Sequence, residues 1–487
     1  MNGSGEYAIE HSEMVFSSLV FLCVFLPVVL IVYACAPSRY RNLVALAASL
    51  FFYAWGAPRF VFVLVASAWF DFVISRRMRE SCNARTARLW LACGIVLNLS
   101  VLLYCKYMNF FVGQFNGLLE HIGAEPISWT RVALPIGISF FTFQKLSYLV
   151  DVYRGTVEPA RSLRVYLLYV CLFPQLIAGP IVRYHDVADQ LLSRKCTEDK
   201  MFSGIGRFCL GLGKKVLIAN ALGEIADATF NAPVAIVSAS AAWLGALCYS
   251  FQIYFDFSGY SDMAIGLGRM LGFDFLENFN APYISRSFTE FWRRWHISLS
   301  NWMKEYLYIP LGGNRRGKGR SLLNLWIVFF LSGLWHGASW TFVIWGCYHG
   351  LFLTIDKLAG LRRRRLLPDF IAVPLTFLFV TLGWVLFRSP DLSHAAPYFG
   401  RMFGLSSDSV RITCASLVDR QSAAVLLAAI LFSFGPLLRE RCGATLLPSA
   451  SGLRGLMLRF AVSCALLFLS VMALANGSFN PFIYFRF

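Results

Sequence analysis

The chain reads as long apolar runs separated by short polar, often basic, breaks. The first run, about Val15 to Ala36, is long enough to cross a bilayer and ends at Ser38-Arg39-Tyr40-Arg41. A second, roughly Leu43 to Trp55, and a third, roughly Phe60 to Ile74, form a hairpin through Gly56-Ala57-Pro58. The chain then reaches Arg76-Arg77-Met78-Arg79. A fourth run covers about Leu89 to Tyr104, residues 113–130 read as a mixed external segment, and Leu134 to Val150 crosses back. Later runs lie near Ala241–Phe257, Leu323–Leu334, Trp340–Leu358, Ile371–Phe387, Ala423–Leu437 and Phe460–Ala475. Barrel strands would alternate over roughly ten residues, and these runs are longer and uniformly apolar. The pattern predicts an all-α polytopic membrane protein with about ten or eleven crossings.

The stretch from about Tyr166 to Val182 behaves differently. Pro174 and Gly179-Pro180 interrupt it, and basic residues flank both sides: Arg161 and Arg164 before, Arg183, Arg194, Lys195 and Lys200 after. A full crossing would place one basic group outside, against the cytoplasmic bias of Lys and Arg. The segment is therefore expected to dip in and return. Broken backbone of that kind is tolerated only inside protein or against a wet cavity.

Composition sharpens the class. Charged residues make up 15% of the chain, where a soluble protein carries about a quarter. The net charge of +17 would suggest nucleic acid on a soluble domain. Here it reads as cytoplasmic loops that set topology, with Arg362-Arg363-Arg364-Arg365 the clearest marker of the second half. Both early basic patches fall on one side if the N-terminus is periplasmic, and the acidic residues Glu6, Glu10 and Glu13 do not read as a cleaved signal. The cysteines form neither C-x-x-C pairs nor metal-spaced clusters, so neither disulfides nor a metal site is expected, and no bound cofactor. Residues 1–487 read as one integral-membrane domain with no appended soluble part.

Polar chemistry crowds into residues 251–350. His336 sits in Phe329-Phe330-Leu331-Ser332-Gly333-Leu334-Trp335-His336-Gly337, an imidazole within an apolar run, where ionisable groups are costly and mark function or a wet pocket. The alternative is a core histidine bonded to a carbonyl. A neutral imidazole there would suit a general base acting on a hydroxyl. His296 lies in Arg293-Arg294-Trp295-His296-Ile297-Ser298, within a stretch, 291–302, that otherwise reads as an interfacial amphipathic helix with Trp at headgroup depth. Asp256 and Asp262 could be buried acids paired with Arg293 or Arg294. Asp256, Arg294, Asn301 and Trp335 are candidates for lining a substrate channel. Arg315, Arg316 and Lys318 could meet donor phosphates, or could serve as topology signals. His349 falls in a span, His185 at the interface, and His11, His121 and His394 in solvated loops. No G-x-S-x-G elbow occurs in this region, and neither a P-loop, a dinucleotide fingerprint nor H-E-x-x-H is found, so base-assisted transfer is more economical than a covalent serine route.

Taken together, Pro135-Ile136-Gly137-Ile138-Ser139-Phe140, Asp151-Val152-Tyr153-Arg154-Gly155, Phe173-Pro174, Ala178-Gly179-Pro180, Tyr254-Phe255-Asp256-Phe257-Ser258-Gly259, Glu277-Asn278-Phe279-Asn280, Leu311-Gly312-Gly313-Asn314-Arg315, Leu334-Trp335-His336-Gly337-Ala338 and the C-terminal Asn480–Phe487 form a pattern that spans nearly the whole chain. It resembles the membrane-bound O-acyltransferase (MBOAT) family, in the bacterial branch that acetylates exopolysaccharides such as alginate or cellulose. The resemblance implies an all-helical fold with a funnel or tunnel. It puts the family's signature histidine at His336 and its second characteristic polar position at His296. It implies acetyl transfer from a cytoplasmic thioester, acetyl-CoA by expectation, at the inner membrane. The acceptor would be a polysaccharide or a periplasmic relay acetyltransferase. Two rival readings are a transporter without catalysis and a D-alanyl transferase of the same superfamily.

Overall fold

A computed structural model describes residues 14–361, 366–405, 411–442, 453–477 and 479–480. The Arg362–Arg365 run, the N-terminal acids, His11 and most of the C-terminal Asn480–Phe487 motif lie outside the described residues.

The described residues are helical almost throughout. In chain order the helices are α1 (Leu26–Cys35), α2 (Ser38–Gly56), α3 (Phe60–Glu80), α4 (Ala84–His121), α5 (Ile138–Arg154), α6 (Leu163–Cys171), α7 (Phe173–Leu176), α8 (Tyr184–Leu192), α9 (Glu198–Gly213) and α10 (Asn220–Phe230). They continue as α11 (Ala239–Met270), α12 (Phe288–Arg294), α13 (Ile297–Met303), α14 (Gly317–His336), α15 (Trp340–Leu358), α16 (Asp369–Arg388), α17 (Leu392–Met402), α18 (Cys414–Leu417), α19 (Arg420–Cys442) and α20 (Leu453–Asn476). Local chemistry starts several of them. Asn83, Ser162, Ser287 and Asp391 each accept a hydrogen bond from a first-turn amide of α4, α6, α12 and α17, satisfying a donor that the helix leaves open.

Four helices among the described residues are both long and apolar enough to cross a membrane: α4, α16, and the runs Arg420–Leu437 and Arg454–Asn476. Others, including α2, α3, α11, α14 and α15, have the length but interleave polar groups with their apolar residues. The protein is thus a multi-pass, all-helical membrane protein. Most expected spans appear, and α15 matches its expected bounds. The fourth span differs: α4 runs 38 residues, so part of the expected external segment is helix through His121. The helical run from Glu198 to Phe230 was not expected at all.

The chain divides into two compact units: residues 1–205 with 263–276, and 206–262 with 277–487. In the first, a ring cluster of Phe16, Phe21, Phe25, Phe52 and Phe173 fills the core. A buried polar group sits beside it: Lys145 Nζ lies 3.4 Å from Asp71, which also accepts from Asn98 Nδ2 at 2.7 Å. The segment from Tyr166 to Val182 is broken and largely buried. Helix α6 stops at Cys171, α7 makes one turn, and the chain continues through bends at 177–179 and without regular structure to Arg183, with residues 168–184 all buried. Neighbouring side chains supply hydrogen bonds that water cannot: Ser49 Oγ accepts from the Phe173 amide at 3.0 Å, and Tyr169 donates to the Val182 carbonyl at 3.1 Å. Gly137 is required beneath it, since its φ is +73° and a Cβ would run into the Leu176 carbonyl.

Candidate functional site

The second unit holds the site. Helix α14 ends at His336, whose ring is buried at 4% exposure. The end of the helix is pinned by close packing on α15, where the backbones of Gly333 and Gly346 meet. Small residues allow such an approach between apolar helices. Aromatic edges then box the imidazole: Trp345 of α15 at 5.0 Å, Phe387 of α16 at 5.2 Å and Trp335 at 4.8 Å between ring centroids.

His296 arrives from another direction. The expected amphipathic helix over 291–302 is in fact two seven-residue helices, α12 and α13, broken at Trp295-His296. Trp292, Trp295 and Trp302 are buried rather than displayed at headgroup depth. His296 bridges the break with φ +43°, and Ala281 is the other non-glycine residue with positive φ among the described residues. A non-glycine side chain in that region stores strain, which surrounding structure must hold. The clamp is the Glu277–Asn280 segment. The Ile297 amide donates to the Asn278 carbonyl at 3.0 Å, and the Asn280 amide donates to the Arg294 carbonyl at 2.9 Å.

The clamp also fixes the imidazole. The Ser298 amide and hydroxyl both donate to Asn278 Oδ1, at 3.2 and 2.9 Å, so that atom is an acceptor. His296 Nδ1, 3.1 Å from the same oxygen, must then carry the proton. Nε2 is left as a lone pair, buried and with no hydrogen-bond partner among the described residues. Trp335 touches both imidazoles, with its centroid 6.1 Å from His296 and 4.8 Å from His336. A third histidine continues the series. Trp345 packs on His349 at 4.7 Å, and His349 Nδ1 accepts from Trp292 Nε1 at 3.2 Å.

A cavity of about 220 Å³ lies against Trp292, and neither His296 nor His336 is among its lining residues. Its walls are mainly apolar, with Leu299, Met303, Leu325, Val328 and Phe329, while Arg293, Lys304 and Tyr308 add polar groups. Ser332, one turn before His336, and Leu299, one turn after His296, both line it.

The other sequence candidates separate. Among the described residues Asp256 faces Lys215, whose Nζ lies 2.9 Å away, and both side chains are buried. Asp262 is held by Arg207 and Lys214, each at 2.6 Å. Arg294 pairs with Glu290 at 2.9 Å and donates to the Asn280 carbonyl, which supports the clamp. Asn301 is half-buried on α13, while Arg315, Arg316 and Lys318 are exposed. His121 ends α4 and is exposed, whereas His394 is not in a solvated loop: it lies in α17, half-buried against Phe230. His185 is ion-paired with Asp151 at 2.8 Å and Asp186 at 3.3 Å in the first unit. Sequence reasoning quoted Asn278 within a motif but gave it no role, and it did not single out Ser298, Trp345 or Phe387. The signal was the polar pair Asn278/Ser298 bracketing the lone His296.

Residues 160–388, which include both histidines, match the sequence model of the MBOAT, membrane-bound O-acyltransferase family. A probable alginate O-acetylase of Pseudomonas putida is 42% identical over 97% of this chain and 100% of its own length. The chain belongs to the membrane-bound O-acyltransferase family. A peptidoglycan O-acetyltransferase of Helicobacter pylori is 36% identical over 82% of this chain and 81% of its own. A teichoic acid D-alanyltransferase of Bacillus subtilis is 30% identical, over 53% and 70%. Membership makes the protein an acyl-transferring enzyme and sets aside a transporter without catalysis.

Proposed function

We propose that this O-acyltransferase moves an acetyl group from a cytoplasmic thioester, acetyl-CoA, across the inner membrane to a hydroxyl of an alginate-type exopolysaccharide, directly or through a periplasmic relay acetyltransferase. The reading is carried by the packing of both His296 and His336 on Trp335 in a buried aromatic frame. The greater coverage and identity of the acetylating relatives support acetyl over D-alanyl transfer.

In this mechanism His336 accepts the hydroxyl proton while the oxygen attacks the thioester carbonyl. The new C–O bond forms, the C–S bond breaks, and the thiolate leaves to take up a proton. A neutral, enclosed imidazole suits that step. His296 orients a reactant. Arg315, Arg316 and Lys318 stand exposed where donor phosphates could be attracted, as basic groups do at a membrane surface. The basic side would be cytoplasmic and the N-terminus periplasmic.

The test is turnover by purified protein in liposomes, with labelled acetyl-CoA on one face and an alginate oligosaccharide on the other. Acetylated sugar with stoichiometric free CoA is expected. Acetyl-CoA left intact while a D-alanyl thioester is consumed would overturn the donor assignment.

A further inference from the structure

The clamp around His296 decides which reactant that histidine can serve. We propose that Asn278 is a positioning residue that locks His296 with its proton on Nδ1, so that Nε2 presents only a lone pair to the reactants and cannot donate to the thioester oxygen. The inference rests on the reading that His296 takes part in the transfer.

The argument starts from the amide of Asn278. Its two ends cannot be exchanged. The Ser298 backbone amide can only donate, and it points at Oδ1. At the other end, Nδ2 donates to Ser261 Oγ at 3.1 Å. Ser298 Oγ gives its proton to Oδ1 and lies 3.5 Å from His296 Nδ1, where it can only accept. Every group facing Nδ1 is therefore an acceptor. The proton has one place to sit, and the ring's other nitrogen has none to give.

Rotation offers no escape. The imidazole is fully buried, with Phe257 packed edge-on at 4.7 Å and Trp335 on another side. Its backbone is held in the left-handed region by the hydrogen bonds on either flank. A lone pair fixed this way repels carbonyl oxygens. A protonated Nε2 would be needed to steady a developing oxyanion, and with Nδ1 also protonated the ring would be a cation in a fully buried, largely aromatic enclosure.

The experiment uses the full-length protein in membranes, labelled with ¹⁵N-histidine. The His296 signals are assigned by their loss in H296Q. Wild type should show Nδ1 protonated and Nε2 bare. N278D keeps an acceptor at Nδ1 and should keep both the tautomer and most of the transfer. N278L removes the acceptor and should release the tautomer and lower acetyl transfer by on the order of 10–100-fold, the usual cost of losing a group that orients a functional histidine. In N278D the carboxylate also makes the ring more basic, so the acid limb of the rate–pH profile should move to higher pH. A merely structural amide would not shift that limb. A bare Nδ1 in wild type overturns the proposal. Full activity in H296Q overturns the participation of His296 itself, and the two failures are distinguishable because the spectra report the tautomer independently of turnover.

Discussion

Gly333 of α14 packs backbone to backbone against Gly346 of α15, one turn before His336. A Cβ on Gly333 would collide with the Phe342 carbonyl, and one on Gly346 with the Phe329 carbonyl. Neither collision can be relieved by turning a side chain. G333A should push the helices apart and displace the imidazole from Trp345 and Phe387. Since small misplacement near the chemistry can cost about 100-fold, transfer should drop by that order while the protein still inserts. Acetyl transfer per mole of folded protein is the measurement. Unchanged turnover would show that the helix contact does not place His336.

H336Q keeps the approximate size of the side chain and removes its basicity. Loss of a general base lowers rates by roughly 10²–10⁴-fold. The variant should elute and melt like wild type and be inactive to that degree in thioester consumption. Normal polymer acetylation from a well-expressed H336Q protein would end the base assignment.

Lys215 and Asp256 form a buried ion pair. Removing one member of a buried ion pair typically costs about 3–5 kcal/mol. K215M and D256L should each lower the melting temperature sharply. The double variant should recover much of the loss. If D256L alone is as stable as wild type but inactive, Asp256 is a substrate group after all.

His185 gives a pH signature outside the membrane-spanning helices. Hydrogen bonds to Asp151 and Asp186 raise it from its ordinary 6.5 to about 9. Its folded form holds the proton more tightly than the unfolded chain does. The resulting stability is complete below about pH 6.5 and is lost as pH rises through about 9. The gap in melting temperature between wild type and H185Q should be largest near pH 6 and close above pH 9. A constant gap across that range would refute the linkage.

Sequence reading found the helices wherever apolar character was continuous, as in α16. It failed where charges pair inside the fold. The run from Glu198 to Phe230 carries Arg207, Lys214, Lys215 and Asp227, which look like loop residues in one dimension. In the structure Arg207 and Lys214 meet Asp262, Lys215 meets Asp256, and Asp227 meets Arg388 at 2.6 Å. Hydropathy counts each charge as exposed, and only tertiary contact neutralises it. The site followed the same logic. His336 was legible because an imidazole is conspicuous among Leu, Phe and Trp. The partner of His296 was not, because Asn278 lies 18 residues away and its role depends on which end of an amide faces the ring. The break at His296 was hidden as well, since Trp295-His296 carries neither glycine nor proline to announce a turn.

The left-handed backbone at His296 makes this position receptive to an unusual replacement. Glycine adopts that conformation freely, so H296G should ease the chain while emptying a ring-shaped space between Phe257, Asn278 and Trp335. Free imidazole added to such a variant would find a mould already cut to its outline, with the oxygen of Asn278 waiting for its N–H.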